Sequence, residues 1–326
     1  MAEIIFNTES DNEQQNNSTI SNGSTAGEVY DPIDAGENSI YTDDTDDTDN
    51  SENTIYSSEE LSDPNKIVVE IADKETPLVI LFGPQSCGKT MTMIRLTRYL
   101  HEKGFSVEPI KSFRPEYDQN YKKLCEGFNE LVNSEDAAHA TNIINFMLIR
   151  VSHRGKAICQ ILEAPGEHYF SPNEGPDKVF VKYINTILDS KNRKLFCIML
   201  EPEGTNGVMT TEVRKLYSKK VHKLKRRMKA GRDRVIFILN KIDKTDFVIS
   251  RGNVNRKYAK KAASDLYSGI FAPFTNENPI TKLWKPYNFD FEVFQTGNFS
   301  DGVFTEGPED YPRNLWKLIS KRVKGL

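Results

Sequence analysis

The sequence predicts an α/β fold of three layers, a mainly parallel sheet covered by helices on both faces, preceded by a disordered acidic tail. Three observations predict it. Short, continuously apolar runs of strand length alternate with segments of helical period. Two of those runs lead directly into polar loops of the kind found at the carboxyl ends of parallel strands, where ligands bind in such sheets. Residues 1–65 hold 17 Asp and Glu and no Lys or Arg, whereas the remaining 261 residues hold 43 Lys and Arg against 30 acids, a balance of +13.

The chain therefore divides into an acidic tail, residues 1–65, and a basic folded body, residues 66–326. The tail is rich in Asn, Asp, Ser, Thr and Glu, and Thr42 to Asn50 is almost entirely Asp and Thr. Such a segment buries too little apolar surface to offset the entropy of ordering it. It is expected to be a solubilising tail or, alternatively, a segment that masks the basic body. No apolar run approaches the roughly 18–20 residues of a membrane helix. The start of the chain lacks the basic and apolar stretches of a secretory signal. Cys87, Cys125, Cys159 and Cys197 show no paired spacing. Reduced thiols in a cytoplasmic protein are the expectation.

Order is expected to begin near Lys66. Pro77 to Phe82 (P-L-V-I-L-F) reads as a buried parallel strand. Lys89 to Leu100 has helical spacing and stops at Gly104. Phe105 to Ile110 reads as an inserted strand and Tyr117 to Val132 as a helix. Asn142 to Val151 and Lys156 to Leu162 read as two strands around the turn His153-Arg154-Gly155. A helix over Val179 to Leu188, a strand over Leu195 to Leu200 and a long helix over Thr210 to Lys229 follow. The strand Arg234 to Leu239, the helix Val254 to Leu266, the strand Phe289 to Gln295 and the helix Pro312 to Val323 complete the chain.

Gly83-Pro84-Gln85-Ser86-Cys87-Gly88-Lys89-Thr90 matches G-x-x-x-x-G-K-[ST], between a strand and a helix as that motif requires. Glycine lets the backbone approach a phosphate closely. The successive N–H groups of Gly83, Gln85, Ser86, Cys87 and Gly88 would form an anion nest at the positive end of the helix. Lys89 is placed to reach the outer phosphates, and the Thr90 hydroxyl to bind Mg2+. Cys87 is a small filler whose thiol, in this electropositive setting, is open to oxidation.

The second loop selects the base. Val235 to Leu239 runs into Asn240-Lys241-Ile242-Asp243. Guanine presents two donors on its Watson–Crick edge, and the Asp243 carboxylate can accept both. Asn240 would hold the loop and a ring nitrogen, and Lys241 would lay its stem along the ring. Adenine would leave Asp243 unpaired at a heavy cost.

With both motifs in order and at strand ends, residues 76–326 resemble the P-loop GTPases of the translation-factor and small-GTPase class. More narrowly, G-P-Q-S-C-G-K-T with E-A-P-G-E resembles uncharacterised bacterial GTPases of that class. The resemblance implies a P-loop NTPase fold that binds GTP or GDP with Mg2+ and hydrolyses GTP as a slow switch. It also implies roles for further residues. In Glu163-Ala164-Pro165-Gly166-Glu167-His168, Gly166 fits the glycine whose N–H meets the γ-phosphate, and Glu163 stands where the class carries an Asp that holds the metal. Glu167 or His168 would position the attacking water, with Glu167 slightly favoured. Thr141, just before a strand, fits the threonine that completes the metal shell. Thr296-Gly297-Asn298 fits the last loop, whose backbone N–H groups touch the guanine oxygen. Gln85 lies where small relatives carry Gly, so a side chain there is expected to slow hydrolysis. Ser86 lies where potassium-activated relatives carry Asn.

Arg214 to Arg234 holds nine further basic residues beyond its two ends, Lys215, Lys219, Lys220, Lys223, Lys225, Arg226, Arg227, Lys229 and Arg232. They form a solvated helix face or a dock for an acidic partner, whether membrane, nucleic acid or the chain's own tail. A protein effector or regulator is expected. A rival to hydrolysis is a scaffold that binds guanine nucleotide without turning it over, and the departures at Glu163 and Gln85 keep it open. An ATPase or nucleotide kinase is disfavoured by Asn240 and Asp243.

Overall fold

A computed structural model describes residues 57–134, 146–203, 209–295, 297–300 and 303–324, all within one unit spanning Asp49–Leu326. The chain enters through a short helix α1 (Ser58–Ser62), capped by Ser57 in a reciprocal capping box with Glu60. Residues 57–65 were expected to belong to the tail. They are instead folded onto the body, where the Glu60 carboxylate pairs with the buried Arg114. The local composition gave no hint of this, because the contact that orders them lies 54 residues away. Residues 1–56 lie outside the described residues.

The apolar runs form the sheet. β1 (Leu78–Phe82) is buried along its whole length. α2 (Lys89–Glu102), β2 (Ser106–Pro109) and α3 (Gln119–Asn133) follow. The hairpin β3 (Met147–His153) and β4 (Lys156–Glu163) turns through Arg154 and Gly155, both with positive φ. Then come α4 (Gly166–Tyr169), α5 (Lys182–Asp189), β5 (Lys194–Leu200), α6 (Thr211–Arg227) and β6 (Arg234–Leu239). A small ribbon of β7 (Val248–Ser250) and β8 (Asn253–Val254) precedes α7 (Arg256–Leu266) and α8 (Pro279–Trp284). The chain closes with β9 (Asp290–Val293), the hairpin β10 (Gly297–Ser300) and β11 (Val303–Glu306), and α9 (Asp310–Lys324).

The main sheet has seven strands in the order β2-β3-β4-β1-β5-β6-β9. Only β3 runs against the rest, because it is joined to β4 by a tight turn; the pairs β4–β1, β1–β5, β5–β6 and β6–β9 are parallel. Register places Phe82, Ile198 and Phe237 on one face. There Phe82 meets Tyr169 and Tyr217, and Phe237 meets Phe271, Phe274 and Phe289. Helix α9 packs on α2 and over β4, β5 and β9, and α2 also meets α3. This is the expected three-layer arrangement. With both faces covered, β1 and β5 bury every residue, which is why they read as unbroken apolar runs.

Two arginines on α2, Arg95 buried and Arg98 partly buried, tie the crevice end together. Arg95 donates to the carbonyls of Gln295, Gly307 and Pro308. Arg98 donates to the carbonyls of Val132 and Ser134 and to Glu306. The long α2 thus fastens the segment after β9 and the end of α3 to the helix that follows the glycine loop.

Candidate nucleotide site

The order of the sheet reverses at β1, with β4 on one side and β5 on the other. The carboxyl ends of these parallel strands form the crevice expected of such a switch point. Gly83–Gly88 leaves β1 here, and Lys89 opens α2. Gly88 takes a left-handed conformation (φ 85°) that hands the chain into the helix, and a Cβ on it would lie 2.2 Å from Asn240 Nδ2. Ser86 is also left-handed, at φ 62°. Cys87 is fully buried, and burial pushes its thiol up to about 11 despite the nearby Lys89. The expected oxidation-prone thiolate is therefore absent; desolvation outweighs the positive neighbour.

The segment from β4 closes one side. Gly166 lies directly on the glycine loop: a Cβ there would come within 2.1 Å of Gln85 N and 2.3 Å of Pro84 C. Thr90 Oγ1 donates to Glu163 Oε1 at 3.0 Å. Glu163 Oε2 is buried and has no hydrogen-bond partner among the described residues. Burial raises the Glu163 pKa to about 8, with Lys89 and the Thr90 hydrogen bond pulling the other way. An orphaned carboxylate oxygen beside a hydroxyl is the donor set of a hard divalent cation, so Thr90 and Glu163 fit Mg2+. The Lys89 ammonium is buried and donates to Pro84 O at 3.0 Å, folded over the loop it follows.

The Asn240–Asp243 loop closes the other side and is bonded to the glycine loop. Asn240 Nδ2 donates to Cys87 O at 2.9 Å. The amide orientation follows from this contact, since the reverse would set two oxygens face to face. Asn240 Oδ1 is buried without a hydrogen-bond partner among the described residues. Lys241, left-handed at φ 54°, donates to Ser86 O at 2.9 Å and pairs with Glu201 Oε1 at 2.5 Å. Its stem therefore crosses from one loop to the other. Asp243 keeps a partly exposed carboxylate 3.8 Å from the Lys244 ammonium, beyond hydrogen-bond length. Ile242 N donates to Phe294 O at 3.2 Å, which holds the loop to the end of β9.

Glu167 is exposed on α4, and His168 is half-buried, its Nδ1 2.7 Å from Tyr183 OH. Burial lowers the His168 pKa, against the pull of Glu167. Gly297 is buried and opens β10, registered against Glu306, so this part of the expected last loop belongs to a hairpin. Thr141 and Thr296 lie outside the described residues. Glu201 was not anticipated. Its signal was an acid placed directly after the apolar run Leu195 to Leu200, as Glu163 ends β4. Tyr183 carried no signal, being one aromatic among the buried residues of an amphipathic helix.

The basic helix α6 proves largely self-satisfied. Lys220 lies 4.2 Å from the Phe180 ring centroid and donates to Lys178 O. Lys223 pairs with Asp177, Arg227 with Asp189, and Lys225 lies over Phe274. Lys215, Lys219, Arg226 and Lys229 remain exposed. No group of three or more His, Cys, Asp and Glu able to hold a metal ion occurs among the described residues.

No protein-family model matches the chain, and no curated protein matches it. Among solved structures it is similar to the Saccharomyces cerevisiae Ski7 GTPase-like domain bound to GDP and inorganic phosphate, at 15% identity and a TM-score of 0.39, over 77% of this chain and 51% of that one. It is also similar to Toc33 from Arabidopsis thaliana (10% identity, TM-score 0.38, 77% of this chain and 85% of that one). A third is Roco2 RocCORdC from Methanosarcina barkeri bound to GDP (15% identity, TM-score 0.31, 78% and 52%). The chain thus spans about half the length of the Ski7 and Roco2 chains.

Proposed function

We propose that this chain binds GTP with Mg2+ and hydrolyses it to GDP and phosphate as a slow molecular switch. One observation carries the reading. The glycine loop and the Asn240–Asp243 loop are hydrogen-bonded to each other, Asn240 Nδ2 to Cys87 O at 2.9 Å and Lys241 Nζ to Ser86 O at 2.9 Å, so one crevice serves phosphates and base together. In it the backbone amides of Gly83 to Gly88 and the Lys89 ammonium bind the phosphates. Thr90, Glu163 and Thr141 would hold the metal, which would supply positive charge to offset that of the phosphates. Asp243 accepts the two guanine donors, with Asn240 and Lys241 bracing the loop, and Thr296 and Gly297 are assigned to the guanine oxygen. Gly166 N–H meets the γ-phosphate, and Glu167 or His168 orients water.

The scaffold reading, guanine nucleotide bound without turnover, draws support from Glu163, which stands where the class carries Asp and whose Oε1 already accepts from Thr90 Oγ1. Titration with GTP, GDP and ATP, followed by phosphate release with Mg2+, decides. GTP preferred over ATP with release above buffer supports the switch; tight GTP binding with no release supports the scaffold; equal ATP and GTP affinity sinks both. We further propose a cytoplasmic location, a protein effector or regulator, and docking of an acidic partner on the exposed lysines and arginines of Arg214 to Arg234. No helix among the described residues is long and apolar enough to cross a membrane.

A further inference from the structure

We propose that the arm formed by residues 57–66, which joins the acidic segment to the body, positions His168 for hydrolysis, with Glu60 and Asn65 as the positioning residues. The proposal rests on the function given above. Two limbs run from the arm, and both end on Tyr183.

The first limb is ionic and aromatic. Glu60 Oε1 and Oε2 accept from Arg114 Nη2 at 2.7 and 2.8 Å. Arg114 also donates to Asp118 Oδ2 at 2.7 Å and to Val68 O at 2.8 Å, so its guanidinium is held on three sides. Side-chain exposures of 3% for Arg114, 12% for Glu60 and 8% for Asp118 make this a buried cluster, costly to break from one side. The guanidinium carbon lies 5.7 Å from the Phe146 ring centroid, and Phe146 meets Tyr183 edge-on at 5.1 Å.

The second limb is a helix cap supplied from outside the helix. Val181 precedes α5 and offers no side-chain acceptor. Asn65 Oδ1 accepts instead from Lys182 N at 3.0 Å, satisfying a donor of the first turn. Asn65 is itself braced by Asp63, which accepts from its backbone and its side-chain amide, both at 3.0 Å. Tyr183 is the next residue, and its hydroxyl lies 2.7 Å from His168 Nδ1. The arm therefore sets both the start of α5 and the Phe146 ring that meets Tyr183 edge-on. The tyrosine in turn fixes the rotation of an imidazole two residues past Gly166.

The test uses the full chain with Asn65→Ala and Glu60→Gln. Titration of the His168 ring followed by NMR is read beside GTP turnover and GDP affinity. In Asn65→Ala and Glu60→Gln the His168 titration moves up toward the ordinary imidazole range as the ring loosens. In both, kcat falls about tenfold with GDP affinity unchanged. Should Glu60→Gln fail to fold, Asn65→Ala decides alone. A His168 titration matching the wild type in folded Asn65→Ala overturns the proposal. A moved titration in a protein with no GTP turnover supports the positioning and overturns the hydrolytic function instead.

Discussion

Thr90 Oγ1 donates to Glu163 Oε1 at 3.0 Å across 73 residues of sequence. The bond joins the first turn of α2 to the end of β4 and leaves the second carboxylate oxygen buried without a hydrogen-bond partner among the described residues. A carboxylate in that state is costly unless a cation joins it.

Glu163 therefore makes metal-free stability depend on pH. Its pKa is raised from 4.5 to about 8, so the folded state holds a proton that the unfolded state releases. This contribution is complete below 4.5 and is lost as pH rises through about 8. Unfolding free energy of the metal-free protein should fall by up to about 1.4 kcal/mol per pH unit across that window. Denaturant titrations at stepped pH should show the slope in the wild type. They should show little of it in Glu163→Gln or with saturating Mg2+ and GDP. An equal slope in all three would remove the metal assignment.

The proposed function gives Asp243 the choice of base. Asp243→Asn replaces an acceptor facing two guanine donors with an amide that offers a donor of its own. GTP affinity should weaken by about a hundredfold. Xanthosine triphosphate should gain, because its ring carries an acceptor where guanine carries an amine. Fluorescence titration with both nucleotides reads the exchange. Unchanged GTP affinity would mean that the base lies elsewhere.

Gly166 leaves no space for a side chain. A methyl group there would sit 2.1 Å from Gln85 N and 2.3 Å from Pro84 C, both backbone atoms that cannot swing aside. Gly166→Ala should cost about 1–3 kcal/mol of stability through overpacking. It should also weaken binding of a GTP analogue more than of GDP, since the displaced N–H is the one assigned to the γ-phosphate. Thermal melts with each nucleotide test this; a variant melting like the wild type in both would sink the contact.

Cys87 should be inert. Its thiol is buried and shifted to about 11. At neutral pH iodoacetamide should label it at less than about a tenth of the rate of a free cysteine, reaching full rate only on unfolding. Mass spectrometry of labelled peptides gives the answer, and rapid labelling of the native chain would contradict the packing.

Much of the fold was legible because burial on both faces leaves a strong imprint. Leu78–Phe82, Lys194–Leu200 and Arg234–Leu239 are apolar or nearly so along their length, and such runs have few alternatives in a chain of alternating elements. The glycine loop and the Asn240–Asp243 loop were legible for a related reason. Each is a motif of particular residue types at fixed spacing directly after an apolar strand, and local sequence records both. The short elements α1, α8 and the hairpin β10–β11 were not, since none has enough residues to establish a period.

What the sequence by itself determined is the order of strands and helices, the two loops, and the segregation of acids from bases. What only the tertiary structure decided is which distant side chains share a charge or a hydrogen bond. Glu60 with Arg114, Glu201 with Lys241, Asn65 with the start of α5 and Tyr183 with His168 are partnerships of this kind. The folding of residues 57–65 onto the body follows from the first and third, and the pairing of α6 Lys223 with Asp177 and Arg227 with Asp189 is of the same kind. The physical reason is that backbone periodicity is a local property, whereas pairing a buried polar group requires a partner delivered by the whole chain's path.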